Sequence, residues 1–253
     1  MTWVDSHSHL YMAEEPAGAL LDRAAAAGVA WVMCPGVDLE TSLQAHRLAS
    51  TDSARVLWSA GLHPHDASRW PTEARRLSSL VADADAIGEC GLDYYRDLSP
   101  RNAQRIAFRE QLSLAASYHK PVIVHCRDAF ADVHEELEAA VLGERAILHC
   151  WTGGPKWTKR FADLGVTFSF AGPVTFETGD TVRRGAAVAP PERTMVETDT
   201  PYLTPPPRRD QPNEPANVVA VGAALADVWD VPIETVAMLT TATAHRVFGK
   251  GDG

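Results

Sequence analysis

The stretch "VDSHSHL", residues Val4 to Leu10, places two histidines two positions apart close to the start of the chain. Residues i and i+2 of a β-strand point to the same face, so His7 and His9 would project together, with Asp5 on that face too. Two adjacent imidazoles on a buried face need a partner, and a metal ion is the usual one. A polar strand end with solvated histidines is the alternative, and this stretch alone favours neither.

The size and charge of the chain narrow the class of protein. Its 253 residues fit the length of a typical eight-stranded α/β barrel, and 45% of them are hydrophobic, which is enough for a full core. With 23 basic and 33 acidic residues, the net charge is −10. This excess of acid argues against a broad basic surface for nucleic acid or an anionic membrane, but it leaves room for a small cationic pocket that binds one phosphate.

The sequence predicts a cytoplasmic protein with no membrane partner. Its N-terminus lacks the basic segment followed by an apolar segment that marks a signal peptide. The longest apolar run, residues 24–37, contains Gly28, Pro35 and Gly36 and is too short to span a bilayer. None of the four cysteines forms a CxxC pair, so a reducing compartment is expected.

Short β-rich runs alternate with helical segments along the whole chain. The predicted strands are Trp3–His7, Val29–Cys34, Arg55–Gly61, Ala86–Glu89, Pro121–His125, Ala146–His149, Val166–Phe170 and Arg193–Glu197. The predicted helices are Ala17–Ala27, Leu39–Ala49, Glu73–Val81, Asn102–His119, Ala131–Val141, Lys156–Leu164, Asp180–Val188, Ala216–Val228 and Pro232–Phe248. Strands separated by helices imply a parallel sheet, and eight such units predict an α/β fold, a TIM-like (β/α)8 barrel forming a single domain over residues 1–253. An open doubly wound sheet is the alternative.

Polar side chains fall at the ends of several predicted strands. In a parallel barrel the reaction site lies at the C-terminal ends of the strands, so these side chains would converge. The predicted ligands are His7, His9, Glu89, His125, His149 and Asp199. They are too many for one tetrahedral ion with an open position and suit two ions, with Glu89 as the bridge. Without metal, they would leave buried charges and donors unpaired, which is costly.

Cysteines directly follow three of the predicted ligands. Strand alternation would point Cys90, Cys126 and Cys150 away from the ligands and toward the helix layer. Because buried free cysteine usually behaves as a small hydrophobic residue, we expect a packing role rather than metal ligation.

The chain resembles the TatD family of metal-dependent deoxyribonucleases nearly end to end. The resemblance rests on the ordered blocks "DSHSHL", "GLHPH", "IGECGLDYYRD", "KPVIVHCRDA", "LHCWTGG", "VETDTPYLTPPPRRDQPNEPANV" and "TATAHRVF". It implies a TIM-like barrel and a divalent-metal phosphodiesterase, a DNase acting as a 3′-5′ exonuclease on short or single-stranded DNA. By position, one metal would be held by His7, His9, Glu89 and Asp199, and the other by Glu89, His125 and His149.

A few positions depart from the family pattern. Trp151 stands where an aromatic residue such as phenylalanine is common. Asp210 replaces a glycine in the segment "RRDQPNEP", which lies in the proline-rich stretch 200–215, predicted to be a long ordered loop. Related amidohydrolases keep a carboxylated lysine at the end of strand four, and this chain has Glu89 there.

The expected reaction is attack of a metal-activated water on a phosphodiester. Asp199 would accept the proton, and Glu89 would hold both ions. His63, in "GLHPH", would bind or protonate the leaving oxygen; a structural strand-end role is the alternative.

Other residues are candidates for substrate contacts. Arg127 would hold a phosphate, and Tyr94 and Trp151 would stack on a base, with plain packing as the alternative for each. Either Arg209 or its neighbour Arg208 would hold a second phosphate. A last set would have supporting roles: Asp93 for Arg127 or a metal ligand, and Asn213 and Glu214 for the proline-rich loop over the site.

Two other functions stay open at this point. One is hydrolysis of a different ester or amide on the same site, such as a D-aminoacyl-tRNA deacylase. The other is a non-catalytic binding protein that keeps the fold. The ligand set admits Mg, Mn or Zn. The oligomeric state is not readable from the sequence, and a monomer is the default expectation.

Overall fold

The computed structural model of the protein describes residues 1–250, and these form eight β-strands and nine α-helices. The strands are β1 (Trp3–Asp5), β2 (Val29–Pro35), β3 (Val56–Ala60), β4 (Ala86–Asp93), β5 (Val122–Arg127), β6 (Ala146–Leu148), β7 (Thr167–Phe170) and β8 (Thr194–Val196). The helices are α1 (Ala17–Ala26), α2 (Leu39–Thr51), α3 (Trp70–Val81), α4 (Arg101–Tyr118), α5 (Phe130–Ala140), α6 (Pro155–Asp163), α7 (Asp180–Ala186), α8 (Val218–Trp229) and α9 (Ile233–Phe248). Each strand pairs in parallel with the next one along the chain.

The barrel closes just beyond the ends of β1 and β8. The backbone N–H of Asp199 donates to the carbonyl of His7 at 2.9 Å, and Ser8 and Thr200 form a parallel bridge. Because the first and last strands meet, the sheet is a barrel and the alternative of an open doubly wound sheet is wrong. The prediction of a TIM-like (β/α)8 barrel is confirmed.

Several strands end at different residues from the predicted ones. β1 ends at Asp5, two residues before the predicted end at His7, and β4 continues past Glu89 to Asp93. α3 begins at Trp70 rather than Glu73, with Pro71 in its first turn, where proline is well tolerated.

The end of the barrel opposite the predicted site is filled by apolar side chains of the strands. This cluster consists of Val4, Trp31, Met33, Leu57, Ala86, Ile123, Ile147 and Met195 together with Ala244, Val247 and Phe248 of α9. The last helix therefore covers the N-terminal end of the barrel. A larger cluster packs the outer faces of the strands against the surrounding helices. The predicted ligands lie at the other, C-terminal end.

No single helix in residues 1–250 has both the length and the apolar composition to cross a bilayer. The segments Pro215–Trp229 and Ile233–Phe248, bent by 112° relative to each other, meet these two criteria when they are taken as a pair.

Candidate metal centre

Glu89 lies at the centre of a cluster of buried histidines at the C-terminal end of the barrel. Its Oε2 atom is 3.3 Å from Nε2 of His7 and 3.6 Å from Nε2 of His9. Its Oε1 atom is 3.0 Å from both Nδ1 of His125 and Nε2 of His149. The two carboxylate oxygens thus serve two different pairs of histidines, as a carboxylate that bridges two ions would.

Asp199 completes the half of the cluster that contains His7 and His9. Its Oδ1 atom is 3.4 Å from Nε2 of His9 and 3.8 Å from Nε2 of His7. The structure therefore brings all the predicted ligands together, although they come from five different strands or the loops that follow them.

The spacing of the donor atoms fits metal ligation. Neighbouring nitrogen and oxygen atoms in the cluster are 3.0–3.8 Å apart. Ligands that surround one ion at about 2.1 Å are themselves roughly 3.0–3.5 Å apart. The cluster can therefore accept a divalent ion with small adjustments of side chains that already point inward.

Two of the histidines are fixed by carboxylates behind them. Nδ1 of His149 lies 3.2 Å from Oε1 of Glu197, and Nε2 of His125 lies 3.2 Å from Oδ2 of Asp93. Since an ionised carboxylate can only accept, each imidazole donates its N–H outward. The other ring nitrogen is then free to direct a lone pair into the cluster, which is the tautomer that binds metal.

A hydroxyl group holds His9 with its proton on Nδ1, the same tautomer as His149. The hydroxyl of Tyr11 donates to the carbonyl of Pro35 at 2.7 Å, so its oxygen accepts from Nδ1 of His9 at 3.0 Å. Nε2 of His9 is left to face Glu89. The outer nitrogen of His7 is buried without a hydrogen-bond partner among the residues that the structure describes.

The charges of the cluster favour a bound cation. Burial alone would raise the pKa of Glu89, but the charge of His149 and the hydrogen bonds from His125 and His149 outweigh it and hold the pKa well below its usual range. Burial alone would also raise the pKa of Asp199, but His9 and His7 outweigh it and lower the pKa below its usual value. Burial lowers the pKa of His149, yet Glu89 and Glu197 more than offset this and raise it well above the usual value. The carboxylates therefore attract positive charge, either a proton or a metal ion.

His63 extends from the loop after β3 to the edge of the cluster. Its Nδ1 accepts the backbone N–H of His65 at 3.2 Å, so the proton is on Nε2, 3.3 Å from Oε1 of Glu89. Burial lowers the pKa of His63 to about 4, which keeps the ring neutral. His63 is thus a neutral hydrogen-bond donor directed at the site.

Asp93 contacts histidines of the site. Its Oδ2 atom accepts from Nε2 of His65 at 2.8 Å as well as from His125. Of the two roles predicted for Asp93, support of a metal ligand is the one that these contacts fit.

Two glycines in the sequence "IGECGLD" explain how Glu89 reaches the other ligands. Gly88 and Gly91 have φ values of +115° and +141°. A Cβ atom on Gly91 would lie 2.0 Å from the carbonyl oxygen of His125, and one on Gly88 would lie 2.5 Å from that of Ile123. Glycine at both positions lets β4 approach β5 closely and brings Glu89 beside His125.

The two aromatic residues predicted to stack on a base are held by contacts within the protein. Trp151 is 1% exposed and its indole N–H donates to the hydroxyl of Thr158 at 2.8 Å, so it has no free face for a base. The hydroxyl of Tyr94 donates to Asp132 at 2.6 Å, on the first turn of α5. The burial of Trp151 contradicts its predicted stacking role and fits the alternative of plain packing.

The predicted phosphate-binding arginines lie on the surface. The guanidinium of Arg127 lies 4.0 Å from the ring centroid of Tyr95. That of Arg209 lies 3.5 Å from the ring centroid of Phe176. Arg208 lines a surface cavity of about 420 Å³ in the proline-rich loop region. The choice between Arg208 and Arg209 stays a prediction.

The proline-rich loop is anchored next to Asp199, as expected of Asn213 and Glu214. Asn213 is buried, and its side-chain amide donates to the carbonyls of Thr198 at 2.9 Å and Tyr202 at 2.7 Å. Glu214 accepts from the guanidinium of Arg23 on α1 at 2.5 Å.

The sequence interpretation missed the roles of two buried carboxylates. Glu197, which orients His149, could have been found from its spacing of two residues before Asp199 in the sequence "ETD". Asp5, predicted only to share a face with His7 and His9, accepts from the N–H and hydroxyl of Thr198 at 2.8 and 2.6 Å, and so joins β1 to the chain after β8.

The expectation for the cysteines holds for two of the three. Cys90 and Cys126 belong to the core outside the barrel. Cys150 has a φ of +43°, which breaks the strand alternation directly after His149. Its backbone N–H donates to Oε1 of Glu197 at 2.7 Å, so Cys150 lies beside the carboxylates. Burial and the charges of Asp199 and Glu197 raise the pKa of its thiol.

A closed α/β barrel with buried histidines converging on a shared carboxylate at its C-terminal end defines a metal-dependent hydrolase. The chain belongs to the TatD-related DNase family, whose model matches residues 4–249. It is 36% identical to an uncharacterised metal-dependent hydrolase TatD of Mycobacterium tuberculosis, over 98% of both chains. It is 38% identical to the 3′-5′ ssDNA/RNA exonuclease TatD of Klebsiella pneumoniae, over 90% of this chain and 89% of the relative. The crystal structure of the TatD homologue YJJV from Escherichia coli matches with a TM-score of 0.91 at 26% identity, over 98% of both chains.

Proposed function

We propose that the protein is a divalent-metal-dependent phosphodiesterase that removes nucleotides from the 3′ end of short or single-stranded DNA. The observation that carries the proposal is the division of the two Glu89 oxygens between His7 and His9 on one side and His125 and His149 on the other. The names of relatives more than a third identical, exonuclease and metal-dependent hydrolase, support the same reaction.

The ligand geometry supports two ions of Mg, Mn or Zn. One would be held by His7, His9, Glu89 and Asp199, and the other by Glu89, His125 and His149. Such a pair of ions lowers the pKa of a bound water and neutralises the charge that develops on a phosphate in the transition state.

The residues of the chain would share the remaining work. Asp199, whose low pKa keeps it ionised, would accept the proton of the attacking water. His63 would donate its Nε2 proton in a hydrogen bond to the leaving oxygen. Arg127, exposed at the end of β5, would bind a phosphate of the substrate.

The charge of the protein bears on the kind of substrate. A net charge of −10 repels a long duplex, so short or single strands that reach the barrel end are favoured. The predictions of a cytoplasmic location and of a monomer stay predictions.

A substrate panel tests this proposal. The purified protein, treated with EDTA and then supplied with Mg, Mn or Zn, is given end-labelled single-stranded DNA, duplex DNA and RNA. A D-aminoacyl-tRNA ester and a simple amide complete the panel. We expect stepwise release of mononucleotides from the 3′ end of single strands, lost in EDTA and restored by metal.

Two results would overturn the proposal. Metal-dependent hydrolysis of the ester or the amide with no phosphodiester cleavage would identify a different hydrolase. Tight binding of DNA with no turnover under any metal would identify a binding protein. The variant Glu89→Gln should abolish metal-restored activity, while Asp210→Asn, a change at an exposed position on the proline-rich loop, should not.

A further inference from the structure

Tyr95 is an exposed aromatic side chain next to the metal centre. It follows β4, and its side chain is 61% exposed. The adjacent Tyr94 is only partly exposed, and its hydroxyl is held by Asp132. The two tyrosines of the sequence "DYYRD" therefore have different environments, and Tyr95 is the one that a molecule outside the barrel can reach.

A cation lies against the ring of Tyr95. The guanidinium of Arg127 is 4.0 Å from the ring centroid, and Arg127 ends β5 two residues after the ligand His125. A cation–π contact of this kind steadies both side chains while the ring remains largely exposed. An exposed aromatic ring and a cation thus lie side by side. A nucleotide offers a partner for each, because its base can stack on the ring and its phosphate can bind the cation.

The turn that carries Tyr95 is fixed to the metal centre by one carboxylate. The backbone N–H groups of Tyr95 and Arg96 donate to Oδ1 of Asp93 at 3.0 and 2.8 Å. Oδ2 of the same carboxylate accepts from His125 and His65. Asp93 therefore holds the turn that carries the ring and the histidine His125 in one frame, so this turn has a defined position relative to the metal centre.

We propose that Tyr95 stacks on an unpaired base close to the scissile phosphate, with Arg127 on a phosphate of the same strand. The inference rests on the proposed nuclease function and adds the residue that selects single strands. A base inside a duplex has both faces covered by its neighbours, whereas a base in a single strand can turn one face to the ring. Tyr95 thereby gives a reason for a preference that the metal centre alone does not provide.

Another exposed tyrosine lies on the opposite side of the barrel end. Tyr202 follows β8, is 54% exposed, and donates its backbone N–H to the carbonyl of Asp199 at 2.8 Å. Its hydroxyl is directed at the sulfur of Met12 at 3.7 Å, on the N-terminal loop. Tyr202 therefore lacks the link through Asp93 to the histidines, and it serves as the rival candidate in the test.

The test compares Tyr95→Ala, Tyr95→Phe, Tyr202→Ala and Tyr118→Ala with the metal-loaded wild type. Tyr118 is 44% exposed at the C-terminal end of α4, distant in the fold from the metal centre, and is the matched control. Steady-state kinetics are measured on a single-stranded oligonucleotide and on versions with an abasic residue at each of the three 3′-terminal positions. The backbone N–H bonds to Asp93 survive all changes at residue 95.

We expect Tyr95→Ala to raise KM by about 5- to 150-fold with kcat changed far less, because a base–aromatic stack contributes affinity of that size. Tyr95→Phe and Tyr118→Ala should stay within about twofold of the wild type. At one abasic position, the wild type should bind more weakly than it binds the intact strand. Tyr95→Ala should not bind this abasic strand more weakly than the wild type does, since the base that the ring would contact is already missing.

Three outcomes would overturn the inference: an unchanged KM in Tyr95→Ala, an equal penalty from Tyr95→Ala at every abasic position, or the whole effect appearing in Tyr202→Ala. If the wild type cleaves no oligonucleotide, the proposed function fails. The stacking inference is then decided by fluorescence anisotropy of the same oligonucleotides, where equal affinity of wild type and Tyr95→Ala contradicts it.

Discussion

Replacing Asp199 by asparagine should remove a proton acceptor from the site while leaving the fold around it unchanged. The change keeps the shape of the side chain, and the backbone N–H of residue 199 can still donate to the carbonyl of His7 and close the barrel. The carboxamide oxygen can also remain near Nε2 of His9, which is 3.4 Å from Oδ1 of Asp199. What asparagine cannot do is accept a proton.

The expected fall in kcat follows from the loss of this proton acceptor. The pKa of Asp199 is lowered overall by His9 and His7, so the side chain is ionised and ready to accept a proton across the neutral range. A positioned general base contributes about 10²- to 10⁴-fold to a rate. Asp199→Asn should therefore lower kcat on a short single-stranded DNA by at least about 10²-fold, with substrate affinity changed far less.

The assay needs three measurements on the same preparation. Steady-state kinetics give kcat, fluorescence anisotropy gives DNA affinity, and elemental analysis gives the metal content. Asp210→Asn, the same chemical change at an exposed position on the loop that follows, is the control and should match the wild type. A kcat within about fivefold of the wild type in a metal-loaded Asp199→Asn enzyme would refute the reasoning and leave Asp199 a structural carboxylate.

Other consequences of the structure can be measured separately. Glu89→Gln should lose both ions on dialysis, because each ion loses an anionic ligand; two ions per chain by elemental analysis would show that Glu89 is not the bridge. Glu197→Gln should weaken metal binding by about 10- to 100-fold in a competition titration, since His149 loses a charged acceptor behind it; unchanged affinity would contradict that role. Burial raises the pKa of Cys34 to about 12 and raises those of Cys90 and Cys126. These three thiols should therefore react slowly with thiol reagents at pH 8 in the native protein and quickly after unfolding in urea. Fast native labelling of any of the three would contradict their burial.

The sequence was sufficient for the fold and for the convergence of the candidate ligands because both follow from simple periodicities. Alternating strands and helices predict the barrel, and a barrel collects strand-end side chains at one end. His7, Glu89 and Asp199 are far apart in the chain, but each follows or interrupts a buried β-rich run. That pattern is visible without any knowledge of side-chain conformation.

The surroundings of the ligands could not be predicted in the same way. Whether Trp151 is exposed depends on how α5 and α6 pack over its loop, and the sequence does not fix that packing. Cys150 departs from strand alternation because its backbone adopts a left-handed conformation, and an ordinary sequence pattern gives no sign of it. Tyr94 and Tyr95 are chemically equal, so only the turn after β4 decides which one is exposed.

The closure of the barrel and the assembly of the metal centre depend on the same few residues. Asp199 donates its backbone N–H to His7 where the last strand meets the first, and its side chain faces His7 and His9. Asp5 reinforces this junction through Thr198, one residue before Asp199. The pair of histidines in "VDSHSHL" is therefore explained by the far end of the chain: the strand pairing that closes the fold is also what brings the carboxylate of Asp199 to the two imidazoles. A change that opens this junction would separate the candidate ligands, and a bound ion would in turn hold both ends of the barrel together.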